Sequence, residues 1–460
     1  MMTRQQIVRC GFILLILAQT ALCLSWAADN FGVVPAYGDS SDYIERAKIL
    51  AVHKLRPFTL PLVLHLCMEA SKSNAMYFLF LVQTGLALTT LWLLLGILAS
   101  GRHGVDKLLL FLAVGTNPLL THFNFAVMPD SLAMSFSILA AVALWNSVSR
   151  ETWYWPWPAL FIVTFTLAVN ARAERLISLS LGLMAGLLLL IALRRLPRIR
   201  MTRIVCCFLL AFCCHFGMGK ILPKSDIIFN GGDYNFTVYQ QLCWQTVFTR
   251  AEHLWPLFSK EVRAALPLEE ARTWDKRLSY FYTVRKHLDP LGDSAYKDIF
   301  FILLKHDWPH LLYSIGAGAA HYTLTAVYPY FYFTGINFDQ QSEAWNGFTI
   351  FYMTQNWTYT RMAGHSPGLT WWYWLTASTL VLAALGRGII LLVRRELPIG
   401  GSAQIFFGCA MLVMVLFFVA FPVFVHIRYA LTWHVFALAA LFGLVLPVLA
   451  FDRPASGKPT

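Results

Sequence analysis

The stretch Ile7–Ala27, "IVRCGFILLILAQTALCLSWA", decides the class of this chain. A membrane-crossing helix needs about 20 mostly apolar residues, and this stretch supplies them with one charge, Arg9. Arg4 and Arg9 ahead of the run and small residues after it have the outline of a secretory signal. A signal's apolar core is about 7–15 residues, so the longer run reads as an uncleaved first helix.

Working outward from it, similar runs recur at 75–100, 107–121, 127–146, 156–170, 176–194, 203–221, 369–393, 403–424 and 430–451. The spacing therefore predicts about ten spans. Composition agrees. The 460 residues are 58% hydrophobic and only 13% charged, whereas a soluble domain is about half apolar and about a quarter charged. The mean hydropathy is +0.57. The expected class is an all-α polytopic membrane protein.

The net charge of +12 invites a nucleic-acid reading, but the basic residues gather in short turns between apolar runs. The densest is "RRLPRIRMTR", Arg194–Arg203. Threaded from a cytoplasmic N-terminus, the cytoplasmic side holds Arg4, Arg9, Arg102, Lys107, Arg150, the five arginines of 194–203, Arg394, Arg395, Arg453 and Lys458. The short outer turns hold Arg172, Arg175 and Arg428. Fourteen against three is the positive-inside bias, so both termini are expected in the cytoplasm and nucleic acid is not an expected partner. "WYWPWP" (Trp153–Pro158) and "WWYW" (Trp371–Trp374) fall at span ends, as interfacial aromatic belts do.

This threading gives an N-terminal transmembrane module, 1–221, with a first outer loop at 28–74. A large outer loop follows at 222–368, and C-terminal helices occupy 369–460. Within the large loop, 310–333 is apolar enough to lie on the outer leaflet as an interfacial or re-entrant helix. Seven of the nine cysteines lie inside apolar runs and read as small hydrophobes. Cys67 and Cys243 fall in outer segments, where one disulfide could form. No metal-ligand spacing is present.

The first loop carries "YGDSSDYIERAKIL", Tyr37–Leu50, with three acids in seven residues. Ile44, Ala47, Ala51 and Leu55 recur at helical spacing, with Glu45, Arg46, Lys48 and Lys54 as a polar face, so an amphipathic surface helix is expected. Asp42 with Glu45 has the form of a capping box; Asp39 could cap instead. Outside that role, Asp39 in its turn after Gly38 suits general-base work on a hydroxyl.

Asp130, in "NFAVMPDSLAMSF", lies at the outer end of a span. An acid there is either functional by depth or a helix-start residue after Pro129. "NARAERL", Asn170–Leu176, places Arg172, Glu174 and Arg175 in a tight outer turn. They read either as a surface ion pair of little worth or as a cationic site for a lipid-borne phosphate. "HIRYALTW" sets His426 and Arg428 at the same side.

Taken in order, "GDSSDYIERA…LRPFTLPLVLHL" (Gly38–Leu66), "VMPDSLAMSFSILAAVAL", "NARAERLISL", "LLKHDWPHLLYSI" and "HIRYAL" resemble the motif series of the GT-C fold integral-membrane glycosyltransferases. The resemblance covers most of the membrane half and leaves 222–309 unmatched. It departs at Ser40, where a paired acid is common, and at Asp130, where many members have Glu.

The resemblance implies an inverting transfer of a sugar from a polyprenyl-phosphate donor to a lipid or glycan acceptor on the outer face. The implied enzyme is a monomer among membrane lipids, in a bacterial inner membrane. Asp39, Asp42 and Asp130 become the catalytic candidates, with the choice of base open between Asp39 and Asp42. Arg56, Arg172, Arg175, His426 and Arg428 would hold the donor phosphate, and Tyr43, Asp233 and Tyr234 would contact the acceptor. No cofactor is required, although Asp39 and Asp42 could hold a divalent cation. The competing classes are an O-antigen polymerase or ligase, which would leave the early acid without a role, and a transporter or flippase. The last tends to place polar or broken helices at the midplane.

Overall fold

A computed structural model describes residues 4–30, 33–37, 40–50, 57–99, 104–149, 154–172, 174–194, 200–221, 239, 251–272, 284–309, 312, 338–345, 348–353, 367–394, 401–420 and 431–445. Helices dominate. In chain order they are α1 (Arg4–Asp29), α2 (Ser40–Ile49), α3 (Thr59–Ala70), α4 (Ala75–Leu98), α5 (Gly104–Gly115), α6 (Pro118–Phe125), α7 (Asp130–Ser149), α8 (Pro156–Ala171), α9 (Arg175–Ala192) and α10 (Arg200–Ile221). They continue as α11 (Asp293–His306), α12 (Pro367–Val393), α13 (Ser402–Ala420) and α14 (Leu431–Val445), with short helical turns between α10 and α11.

Each apolar run predicted from sequence carries a helix, and the membrane class stands. Among the described residues, five helices are long and apolar enough to cross a bilayer, or six if one bent pair counts as a span. Shorter apolar helical stretches are α3, α8 and, within α10, α13 and α14, Ile204–Met218, Ser402–Phe417 and Leu431–Gly443.

The bent pair corrects the expected single span at 107–121. The chain turns by 59° between α5 and α6. Asn117 and Pro118 explain it: Pro118 sits at a helix start, where its missing N–H costs nothing, and the Asn117 side chain accepts from Leu119 N at 3.0 Å. The backbone groups freed by the bend find partners on other helices. Gln19 Nε2 donates to Ala113 O at 3.0 Å, and the Tyr373 hydroxyl donates to Thr116 O. A bent helix inside a membrane is tolerated on that condition.

A second finding is a small sheet that composition did not forecast. Strands β1 (Val33–Tyr37), β2 (Phe338–Trp345) and β3 (Phe348–Met353) lie in the order β1-β3-β2. β1 runs parallel to β3, from Val33 opposite Thr349 to Tyr37 opposite Met353. Pro35 removes one donor from β1, which is acceptable because β1 is an edge strand. The sheet thus ties the start of the first loop to the later part of the large one.

The first loop holds two helices, α2 and α3. α2 stops at Ile49, where Leu50 takes a φ of 47°, a conformation no right-handed helix continues through. Ala51, Lys54 and Leu55 of the expected longer helix lie outside the described residues. α3 packs against α2 and α4. Its Cys67, which the sequence leaves open to a disulfide, is a buried free thiol. The reason is local: the apolar sequence around Cys67 folds it into a packed helix face instead of a surface loop.

The core centres on α7, which is buried nearly all round between α4 and α8 and carries Ala133, Ala140, Ala141, Ala143, Ser131, Ser135 and Ser137. Small side chains allow the close helix approach that drives association where apolar burial alone gives no preference. α1 packs on α12 and α5, and α10 packs on α8.

Gly232–Leu324 with Met414–Ala430 form a second compact unit. Its helices enclose their own core of Leu254, Phe258, Val262, Leu288, Tyr296 and Leu303. The interfacial segment expected at 310–333 lies outside the described residues, Leu312 excepted.

Candidate functional site

Two side-chain hydrogen bonds fasten the first loop to the membrane helices. Ser40 Oγ donates to Val127 O at 2.9 Å, three residues before Asp130. Thr59 Oγ1 donates to Leu167 O at 2.8 Å, five residues before Arg172. The two anchors bracket an ion pair. Arg172 Nη2 stands 2.8 Å from Asp130 Oδ1, and Arg172 Nη1 donates to Glu174 Oε1 at 2.9 Å. Arg175 is 1% exposed beside them in sequence, and Asp130 is also 1% exposed.

The turn that sequence left open between a surface pair and a phosphate site is therefore a buried cluster. It joins the start of α7, the end of α8 and the start of α9. Arg172 is the C-terminal cap of α8, in extended backbone conformation, and this swings its side chain away from the helix toward α7. Arg175 N donates to Arg172 O at 3.0 Å and closes the turn.

The named groups balance: Asp130 and Glu174 against Arg172 and Arg175. Burial pushes the Glu174 carboxyl upward, but Arg172 and Arg175 outweigh it and hold the group below its ordinary range. Asp130 Oδ2 accepts no hydrogen bond among the described residues. A buried carboxylate oxygen without a donor is costly, and the pairing of Oδ1 with Arg172 offsets part of that cost.

The elbow carrying Asp130 is clamped from outside. Gln83 of α4 donates through Nε2 to Asn124 O at 3.0 Å and to Ala126 O at 3.1 Å. Ser131 Oγ donates to Asn124 Oδ1. Sequence reasoning passed over Gln83, Asn124, Ser131, Ser40 and Thr59. One signal was visible: Gln83 is an amide in the middle of an apolar run, and polar groups at such positions seldom lack a purpose.

Asp42 is not the helix cap. α2 begins at Ser40, so Asp42 lies in its first turn, where it pairs with Arg46 four residues on at 3.1 Å. Arg46 is fully buried, against its expected place on the polar face with Glu45 and Lys48, which do pair at the exposed side. A guanidinium can turn inward here because Asp42 supplies the opposite charge one helical turn away. Tyr43 is buried as well.

Of the two acids that could hold a cation, Asp42 is met by Arg46, and Asp39 lies outside the described residues. Among the described residues no three His, Cys, Asp or Glu side chains converge as a metal site would require. Asp39, Arg56, Asp233, Tyr234, His426 and Arg428 lie outside the described residues.

No protein-family model, no curated protein and no solved structure matches this chain.

Proposed function

We propose that the protein is an inverting glycosyltransferase that moves a sugar from a polyprenyl-phosphate donor to a cell-envelope acceptor. The observation that carries the reading is the buried Asp130–Arg172–Glu174 cluster, bracketed by the two bonds that dock the first loop. Ionisable groups are expensive at such depth and collect where a reaction or a charged ligand needs them. The motif series read from sequence supplies the reaction class.

In this mechanism Asp39 is the base. Asp42 is engaged by Arg46, which leaves its neighbour in the turn to take the proton from the acceptor hydroxyl as that oxygen attacks the anomeric carbon. The bond to the lipid phosphate breaks on the opposite side, and the departing phosphate carries the electron pair. Asp130, wholly buried against Arg172, acts by positioning that guanidinium. Arg172 is already paired with two carboxylates, so the developing phosphate charge falls to Arg56, Arg175, His426 and Arg428. A bacterial inner membrane with the cluster at its outer face completes the proposal.

A transporter is the reading that the bent α5–α6 pair favours. Against it, the carbonyls freed there are taken by the neutral side chains of Gln19 and Tyr373, and the charged cluster lies elsewhere.

The test is mass spectrometry of envelope glycolipids from cells making the wild type, Asp39→Asn or Asp130→Asn at matched membrane levels. The expected result is one glycolipid present only with the wild type. Undiminished product with Asp39→Asn removes that carboxylate from the mechanism.

A further inference from the structure

Helix α11 is apolar on two sides. Ala295, Tyr296, Ile299 and Leu303 face the core of their own unit. The opposite side carries Phe301 and Leu304, 48% and 43% exposed, and the turn beyond adds Trp308 at 55% and Leu312 at 56%. Phe301 is no stray side chain: its ring stands 5.8 Å from Phe300 and 6.4 Å from Tyr239. Lys297 and Lys305, both exposed, flank Phe301 one turn away on either side. Along this face the first half is polar, with Asp293, Ser294, Lys297 and Asp298 exposed, and the second half presents Phe301 and Leu304 with Lys305 and His306 exposed beside them.

Contiguous exposed apolar side chains of this size mark an interaction surface. We propose that this face of α11 docks on the lipid bilayer, with its C-terminal half entering the boundary between headgroups and acyl chains. Phe301, Leu304, Trp308 and Leu312 are the inserted groups, while Lys297 and Lys305 extend their stems along the surface and reach the phosphates. Three observations choose lipid over a protein partner. Aromatic and aliphatic side chains flanked by lysines are the interfacial combination. The chain from Tyr313 to Phe333 continues without an acid, a lysine or an arginine, so the apolar character does not stop at Leu312. Along the chain, α11 is also tethered between α10 and α12, two apolar helices, so a bilayer is present at high effective concentration whenever the protein is folded. The inference does not depend on the glycosyltransferase reading.

The full chain, reconstituted in phosphatidylethanolamine–phosphatidylglycerol vesicles, provides the test. A benzophenone amino acid replaces Phe301 or Leu304, both exposed, and in a control Leu303, which faces the core. After irradiation, mass spectrometry identifies what each probe has captured. Docking on lipid predicts phospholipid adducts at 301 and at 304, and only intramolecular crosslinks at 303. Capture of a second copy of the chain at 301 and 304, or no lipid adduct at either, overturns the proposal.

Discussion

Arg172 bridges two carboxylates from different elements, Asp130 at the start of α7 at 2.8 Å and Glu174 before α9 at 2.9 Å. With Asp130 at 1% and Arg172 at 7% exposure, this is a buried ion pair, and such pairs are stabilising only relative to their half-removed forms. Arg172→Gln leaves Asp130 charged and without its partner, at a cost of about 3–5 kcal/mol. Asp130→Asn removes one of Arg172's two partners and is expected to cost less, since Glu174 remains. The double variant Asp130→Asn/Arg172→Gln should recover much of the loss of Arg172→Gln alone. Thermal unfolding of the three variants in detergent checks this. Additive losses would mean that the two side chains do not interact as described.

The same cluster predicts an acid limit. The Glu174 carboxyl is held below its ordinary value of 4.5 by Arg172 and Arg175, against the upward push of burial. A depressed carboxylate stabilises the folded form above its unfolded pKa, and that contribution is lost as pH falls through the folded pKa. The stability gap between wild type and Glu174→Gln should therefore be widest near neutral pH and narrow below about pH 4.5. Unfolding midpoints measured from pH 7 down to pH 3 give the comparison. A gap that widens on acidification would reverse the sign of the argument.

How far the sequence carried the fold depends on what sets each feature. Helix positions follow from the length and purity of apolar runs, and α7, predicted over 127–146, is found at Asp130–Ser149. The α5–α6 break was written locally in Asn117–Pro118, yet an apolar count passes over it, because both flanks are equally apolar. The parallel pairing of β1 with β3 joins residues more than three hundred positions apart, and no periodicity within either strand reports a partner that distant. For the site, Asp130 and Arg172 were visible as acids and bases out of place. Arg46 was read outward because helical spacing alone does not say which polar residue turns inward to meet an acid. Ser40 and Gln83 were missed for a related reason: their value is a bond to a remote carbonyl.

Gln83 gives a direct test of the elbow that carries Asp130. Its amide donates to Asn124 O and Ala126 O, so Gln83→Leu strands two buried carbonyls and should cost about 1–3 kcal/mol. Gln83→Glu keeps the shape but turns donor into acceptor, facing two carbonyls, and should be worse. Thermal stability ranks the two, and protease cleavage within 124–130 reports whether the elbow has loosened. Wild-type stability in the Gln83→Glu protein would show that the clamp is not made.

Gly186 and Gly217 form a matched pair on successive helices. Glycine inside a helix is less favourable than alanine by roughly 0.5–1 kcal/mol, so propensity alone favours alanine at both. At Gly217, on α10, an added Cβ meets nothing within 4 Å, and Gly217→Ala should stabilise by about that amount. At Gly186, on α9, the same atom would lie 2.8 Å from Phe406 O and 2.9 Å from Phe406 Cδ2 on α13. The backbone carbonyl cannot swing aside, so α9 and α13 must separate, and overpacking of this kind costs about 1–3 kcal/mol. Gly186→Ala should therefore lower the unfolding temperature while Gly217→Ala raises it. Equal shifts of the same sign would mean that α9 and α13 do not approach as closely as these distances require.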